Sequence, residues 1–257
     1  MPLSPDELRP LVEEYLEGLE LWPALHGQAE SVRYSITVGG KRVRPVICLA
    51  TAEAAGANVE DALPAGCALE LVHTFSLVHD DLPALDDDEE RRGQPSTWKR
   101  FGEATGILAG DALLAEAMRR ATSYDTTHVA RELSEATLGM IGGQYLDITG
   151  TAPDEATLHK LKTGCLFAAS VGLALWVAGV PKGAQAPWRA FADELGLLFQ
   201  IVDDILDGDG YVVVHGVEGA RRFADEAAER AREQLAGVDA DTSVLREIVD
   251  GLAVRTA

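Results

Sequence analysis

Basic residues are scarce in this chain: 22 lysines and arginines face 42 aspartates and glutamates, a formal charge of −20. So strong a negative field repels a phosphate backbone or an anionic membrane surface, and no basic block offsets it, which excludes a nucleic-acid partner. Cysteine is nearly absent. Cys48, Cys67 and Cys165 are scattered, odd in number and without CxxC spacing, so they form neither a disulfide framework nor a zinc site and read as free buried thiols of a reducing cytoplasm. No apolar run is long. The longest, Leu166 to Val180, has fifteen residues, contains two glycines and stops at Pro181; a bilayer span needs about 20, so the expectation is a buried core helix and not an integral membrane protein. A basic segment followed by an apolar stretch and a small-residue cleavage site is missing from the N-terminus, which leaves secretion unsupported. Neither a repeat period nor a low-complexity linker divides the 257 residues, so 1–257 reads as one domain with a sizeable core.

Alanine, leucine and glutamate dominate, and apolar residues recur at helical spacing in most windows, which points to an all-α protein of roughly ten helices. Ser4-Pro5-Asp6-Glu7 offers an N-cap, a proline at the first helical position and a glutamate placed to return a capping hydrogen bond. Further starts are expected at Pro153-Asp154-Glu155 and Pro187-Trp188, and stops at Gly56, Gly150, Gly179 and Gly208. The one β-like run, Tyr211-Val212-Val213-Val214, is too short and isolated to build a sheet.

Chemistry is concentrated in two aspartate clusters. The first, His79-Asp80-Asp81-Leu82-Pro83-Ala84-Leu85-Asp86-Asp87-Asp88-Glu89-Glu90-Arg91-Arg92-Gly93, follows the apolar stretch from Leu69 to Val78. The second, Asp203-Asp204-Ile205-Leu206-Asp207, ends a helix whose apolar stripe runs Phe191, Leu195, Leu198, Val202, Ile205. Carboxylates are unfavourable at a helix C-terminus, where backbone carbonyls are already partly negative, and a bound cation resolves that conflict. Asp203 and Asp207 share a helical face with Gln200, and His73, Ser76 and Asp80 share another, with Pro83 expected to redirect Asp86. Carboxylates without zinc-spaced histidine or cysteine suit Mg²⁺, which binds through a few carboxylates plus substrate phosphates. Phosphate-type donors stand apart from the clusters: Gly39-Gly40-Lys41-Arg42-Val43-Arg44-Pro45, Arg91-Arg92, and Lys160 with Lys162-Thr163-Gly164. Two metal-binding clusters plus basic clamps in an apolar helical bundle imply an apolar substrate with a diphosphate head.

These residues resemble the trans-isoprenyl diphosphate synthase family, the polyprenyl synthetases, along most of the chain. The first motif reads DDxxxxD followed by RRG, the second DDxxD after FQ, and GGKRxRP, GEA…GD, GGQYLD and KTG occur in the family's order. The resemblance implies a single large helical bundle around a deep central cavity, usually a homodimer, with the aspartate motifs facing each other across its mouth. It implies head-to-tail (1′-4) condensation of isopentenyl diphosphate with an allylic diphosphate. Asp80, Asp86 and Asp203 would hold three Mg²⁺ ions, supported by Asp81 and Asp207. Lys41, Arg44, His73 and Arg92 would bind isopentenyl diphosphate, and Arg91 and Lys162 the allylic diphosphate. Thr163 and Gln200 would turn oxygen lone pairs toward the allylic cation, and the released diphosphate would remove the proton. Gln144 and Asp147 would support Lys162 or the metal waters. Phe75, five residues before Asp80, matches the aromatic of bacterial farnesyl diphosphate synthases and implies a C15 product, with a larger cavity giving C20.

The chain departs from the family after the second motif. Asp207-Gly208-Asp209-Gly210 runs directly into Tyr211, with no lysine or arginine before Arg221, and Ala136-Thr137-Leu138-Gly139-Met140 is short. A lysine-bearing segment that closes over the allylic diphosphate is therefore missing from the sequence. That motivates a competing expectation, a non-catalytic subunit that binds prenyl diphosphates, although the retained acidic motifs speak against it. A terpene cyclase is disfavoured because its second metal site mixes Asn, Ser or Thr with Glu, where this chain has DDxxD.

Overall fold

Helix follows helix because the start and stop signals sit where the apolar period changes. A computed structural model describes residues 1–256. Its helices are α1 (Pro5–Glu17), α2 (Gln28–Thr37), α3 (Val43–Ala54), α4 (Val59–Asp80), α5 (Thr97–Phe101), α6 (Glu103–Ala121), α7 (His128–Thr149), α8 (Glu155–His159), α9 (Cys165–Val177), α10 (Ala186–Asp207), α11 (Gly210–Ala236) and α12 (Ser243–Ala253). The all-α expectation holds. At α1 the Glu7 carboxylate accepts from the Ser4 amide at 2.9 Å and from its hydroxyl at 2.7 Å. At α8 the Asp154 carboxylate accepts from the Thr157 amide at 2.6 Å. Gly150 and Gly208 end α7 and α10 in the left-handed region, with φ of 63° and 76°, which an L side chain adopts only at a cost.

α9 is the central element, packed on α3, α4, α7 and α10. Its sequence is apolar all round, as a helix surrounded by others requires, and Leu166, Phe167, Val171, Leu173 and Leu175 are buried. The continuous stretch Glu155–Val177 is long and apolar enough to cross a bilayer by length and composition, but here its apolar side chains are spent on the core. The stripe on α10 buries Phe191, Leu195, Leu198 and Val202 against it, each worth about 1.5–3 kcal/mol. Cys48 and Cys67 are free and buried as expected, whereas Cys165 is half-buried.

One feature bears out the sequence reading and one was not foreseen. Tyr211 to Val214 is the first turn of α11, not extended chain; with no strand beside it to pair with, the run takes helical hydrogen bonds, and α11 breaks only at Gly216, with φ 70°. A hairpin also appears, β1 (Glu90–Arg91) paired antiparallel with β2 (Gln94–Pro95). Arg92 and Gly93 at its tip both have positive φ, 55° and 76°, the geometry that a two-residue hairpin turn with native strand twist demands.

Arg42 is the clearest buried charge. Its backbone is left-handed, with φ 49°, and its guanidinium donates to Glu13 Oε1 at 2.9 Å and Oε2 at 3.1 Å, to Glu70 Oε1 at 2.7 Å and to the Ile36 carbonyl at 2.8 Å. It therefore faces the protein interior and not a phosphate, and it fixes the junction between the loop that carries Lys41 and the first turn of α3, which carries Arg44. Glu70→Ala leaves that guanidinium without its buried counter-charge, so urea unfolding is expected to show a loss of about 3–5 kcal/mol, while Glu14→Ala at an exposed position of α1 serves as a surface control.

Candidate active site

Asp80 ends α4, and its carboxylate accepts from Gln144 Nε2 of α7 at 2.9 Å. Burial pushes its pKa up to about 6, opposed by nearby Lys162 and reinforced by Asp86. The expectation that Pro83 redirects the chain holds: after Leu85 the backbone returns, and the Asp86 amide donates to the Asp80 carbonyl at 2.9 Å. Asp81 is buried and paired with Arg91 of the hairpin, which also reaches Asp88 at 3.2 Å. Asp203 on α10 has its pKa raised by burial and by Asp207, with Lys41 and Arg44 opposing, and it is not among the residues lining the cavity that Asp80 lines.

The KTG segment lies on a π-helical turn, Lys160–Gly164, between α8 and α9. An extra residue per turn marks strain that proteins place at working sites. The turn presses on α7 at Gly143, where a β-carbon would overlap the Lys162 backbone; the second glycine of GGQYLD is thus required by close helix approach, whereas Gly142 faces open space. Lys162 Nζ is paired with Asp147 from the same motif, as expected of Asp147.

A cavity of 560 Å³ opens between these elements and is lined by Arg44, His73, Phe75, Asp80, Lys162 and Thr163 among others, a volume typical of small-molecule sites. The Arg44 guanidinium lies 4.8 Å from the Phe167 ring and 5.8 Å from the Phe199 ring. Burial and the neighbouring Arg44 and Arg92 hold His73 well below the usual imidazole range, so it is neutral.

Several expected residues stand elsewhere. Gln200 lines a separate cavity of 300 Å³ beside His159, Gly164 and Tyr211, because its amide donates to buried Asp204 at 2.7 Å; the structure does not bring it to the cavity that Thr163 lines. Lys41 is exposed and borders a cleft between α1 and α12. Arg92 contacts the Gly39 carbonyl, and with Arg91 it borders a shallow cleft next to Asp81. Asp204 also accepts from the Tyr211 amide at 2.9 Å, tying the end of α10 to the start of α11, and its ligand atoms lie within 4.8 Å of those of Glu155 and His159.

The donor set suits a hard divalent cation: Asp80, Asp86 and Asp203 offer only carboxylate oxygen. Of the buried polar atoms that lack partners among the described residues, two belong to residues lining this cavity, Arg44 Nε and Gln144 Oε1. One is a donor suited to an anion. The other is an acceptor beside Asp80, suited to a metal-bound water. Fold and site together define a helical protein with a largely apolar cavity whose lining carries both carboxylate and basic side chains.

The polyprenyl synthetase family model matches residues 28–216. A farnesyl diphosphate synthase of Bacillus subtilis is 36% identical over 275 positions, covering 94% of this chain and 92% of the relative. A geranylgeranyl diphosphate synthase of Cyanophora paradoxa is 37% identical, covering 88% and 87%. The solved FPP/GFPP synthase of Zymomonas mobilis superposes with a TM-score of 0.87 at 30% identity, covering 97% of each chain. This chain belongs to the polyprenyl synthetase family. The Bacillus subtilis alignment runs over more positions than this chain has residues, so the relative carries insertions that this chain lacks. Here the backbone passes from Asp207 through Gly208 into α11 without a basic residue.

A raised carboxyl pKa has a definite sign in stability. Neutral Asp80 favours the fold fully below its unfolded pKa near 3.8, and that contribution is lost as pH rises through about 6. Thermal melts in a chelator are therefore expected to show Asp80→Asn equal to the parent at pH 4 and more stable than it at pH 7.5.

Proposed function

We propose that this chain is a short-chain trans-prenyltransferase that condenses isopentenyl diphosphate with an allylic diphosphate, 1′-4 and head-to-tail, with farnesyl diphosphate (C15) as its product. The observation that carries the reading is one cavity whose lining joins Asp80, Lys162, Arg44, His73 and Phe75.

In this reading Asp80, Asp86 and Asp203 hold Mg²⁺, three ions with substrate bound. The metal supplies Lewis-acid stabilisation of negative charge on the departing diphosphate. Lys162 and Arg91 grip the allylic diphosphate; with no lysine following Gly210, they do so without a second basic segment. Arg44, His73, Arg92 and Lys41 hold isopentenyl diphosphate, with neutral His73 able to donate one hydrogen bond without competing for a proton. Thr163 offers its hydroxyl oxygen to the developing allylic cation, and Gln200 does the same through its amide oxygen once turned from Asp204. Asp81, committed to Arg91, orients that guanidinium, and Asp207 stands beside Asp203 as a water-mediated support. The released diphosphate takes the proton, so no protein base is assigned.

Residues 1–257 act as one domain in this reading. Exposed apolar side chains on α6 and α7, including Ile107, Leu108, Leu138 and Tyr145, suit burial by a second copy in a homodimer. The free thiols of Cys48 and Cys67 suit a reducing cytoplasm. A C20 product is the second reading, supported by the geranylgeranyl diphosphate synthases among the relatives.

The test is to incubate the purified protein with Mg²⁺, isopentenyl diphosphate and C5, C10 or C15 starters, and to size the dephosphorylated products. Farnesol is expected; geranylgeraniol selects the C20 reading, and no elongation from any starter overturns the enzymatic one. Asp80→Asn and Asp203→Asn are each expected to lower kcat/KM by more than about 100-fold, and chelation to abolish turnover until Mg²⁺ is restored.

A further inference from the structure

The Gly110-Asp111 pair is a family motif to which the reading above gives no task. Gly110 lies in the middle of α6, where glycine is disfavoured relative to alanine, so its presence calls for a reason. α4 supplies it. A β-carbon at Gly110 would overlap the His79 imidazole, so the glycine is a notch into which that ring is seated. His79 Nε2 lies 3.0 Å from the Ile107 carbonyl of α6, which makes it the protonated nitrogen and pins the ring plane. One helical turn back, the Phe75 ring meets the imidazole edge-on, with centroids 5.1 Å apart and planes at 79°. Both residues line the 560 Å³ cavity.

We propose that His79, seated against Gly110, is a specificity-determining residue that sets product length by holding Phe75 in place. The inference rests on the prenyltransferase reading and adds to it a residue that acts on chain length through Phe75. The Phe75 side chain hangs from a helix and has few rotamers. The side of it toward the α4–α6 seam is filled by the imidazole, so the phenyl ring stays across the path of a growing chain. Without the imidazole a ring-sized void opens in the seam, and interiors only partly collapse around such voids. Phe75 can then turn into the void, and the cavity deepens beneath Asp80 although Phe75 itself is unchanged. A methyl on Gly110 acts oppositely, because it drives the imidazole from its notch toward the cavity.

The experiment compares product sizes from a C5 starter and isopentenyl diphosphate for the parent, His79→Ala, His79→Phe and Gly110→Ala. His79→Ala is expected to raise the ratio of the next longer product to the parent product by about tenfold or more, the discrimination that a change in apolar pocket volume supports. His79→Phe keeps a ring in the seam and is expected to keep the parent length, and Gly110→Ala to stop earlier or at the same length. The double variant His79→Ala/Gly110→Ala places its methyl in vacated space; it carries the same expectation of a longer product and covers a single variant that fails to fold. Parent-length product from His79→Ala or from the double variant overturns the inference while leaving the enzymatic reading intact. A shift in His79→Phe as large as in His79→Ala also overturns it, since the hydrogen bond and not the ring would then matter. No prenyl product from the parent protein overturns the enzymatic reading and this inference with it.

Discussion

At the ends of α4 and α10, aspartate carboxylates stand where helix carbonyls already carry partial negative charge. Neither the local dipole nor burial favours them there. Asp80 pays for this with a pKa near 6 and Asp203 with a pKa raised in the same direction. Much of the nearby structure answers this local excess of charge. Arg91 neutralises Asp81, Gln144 donates to Asp80, Lys162 bears on Asp80 from the π-helical turn, and Lys41 and Arg44 bear on Asp203. The answer is incomplete at Asp80 and Asp203, whose carboxyl pKa values stay raised. Stability given up for a pre-assembled charged site is a familiar exchange.

The cations need equally firm placement. Arg44 projects from α3 into the cavity because Arg42, two residues earlier, is anchored inward by Glu13 and Glu70. Two arginines of one basic motif thus do opposite work, one binding the loop to the fold and the other left with an unpartnered Nε. Lys162 reaches the same cavity from the far side only because Gly143 lets the π-helical turn lie against α7. The apolar interior supplies the rigidity: α9 is clasped on four sides by other helices, so the positions of α4, α7 and α10 are set by packing before any ligand is considered.

Much of this was legible in the sequence. The helix starts at Ser4 and Asp154, the stops at Gly150 and Gly208, the α10 stripe and the return of the chain at Pro83 all follow from local rules that the fold obeys. What the sequence could not disclose was long-range. That Arg42 faces inward depends on Glu70, twenty-eight positions away, and no spacing rule links them. The valines after Tyr211 have strand propensity, but propensity is decided by whether a partner strand exists. Gln200 is diverted by Asp204, a competition between neighbours on one helix that motif position alone does not rank. The hairpin tip could have been suspected from Arg92-Gly93, since glycine in a two-residue turn is its usual sign.

A chain of net charge −20 that takes two diphosphates must overcome a repulsive field. At physiological salt that field decays over about 8 Å, so the distant acidic surface counts for little at the cavity. What an approaching anion meets inside that radius is Arg44 and Lys162, with Arg91 and Arg92 at the adjoining cleft. Asp80 on the cavity lining would still repel it if left bare. Under the prenyltransferase reading, cation and substrate therefore bind with strong mutual dependence, each removing the charge that opposes the other. The apolar tail contributes separately: it enters a cavity whose deeper walls include Phe75, Leu114, Met140 and Leu166, and each methylene buried there adds about 0.8 kcal/mol. Head and tail thus draw on different physics, so product length can shift through the α4–α6 seam without disturbing the charges that carry out the condensation.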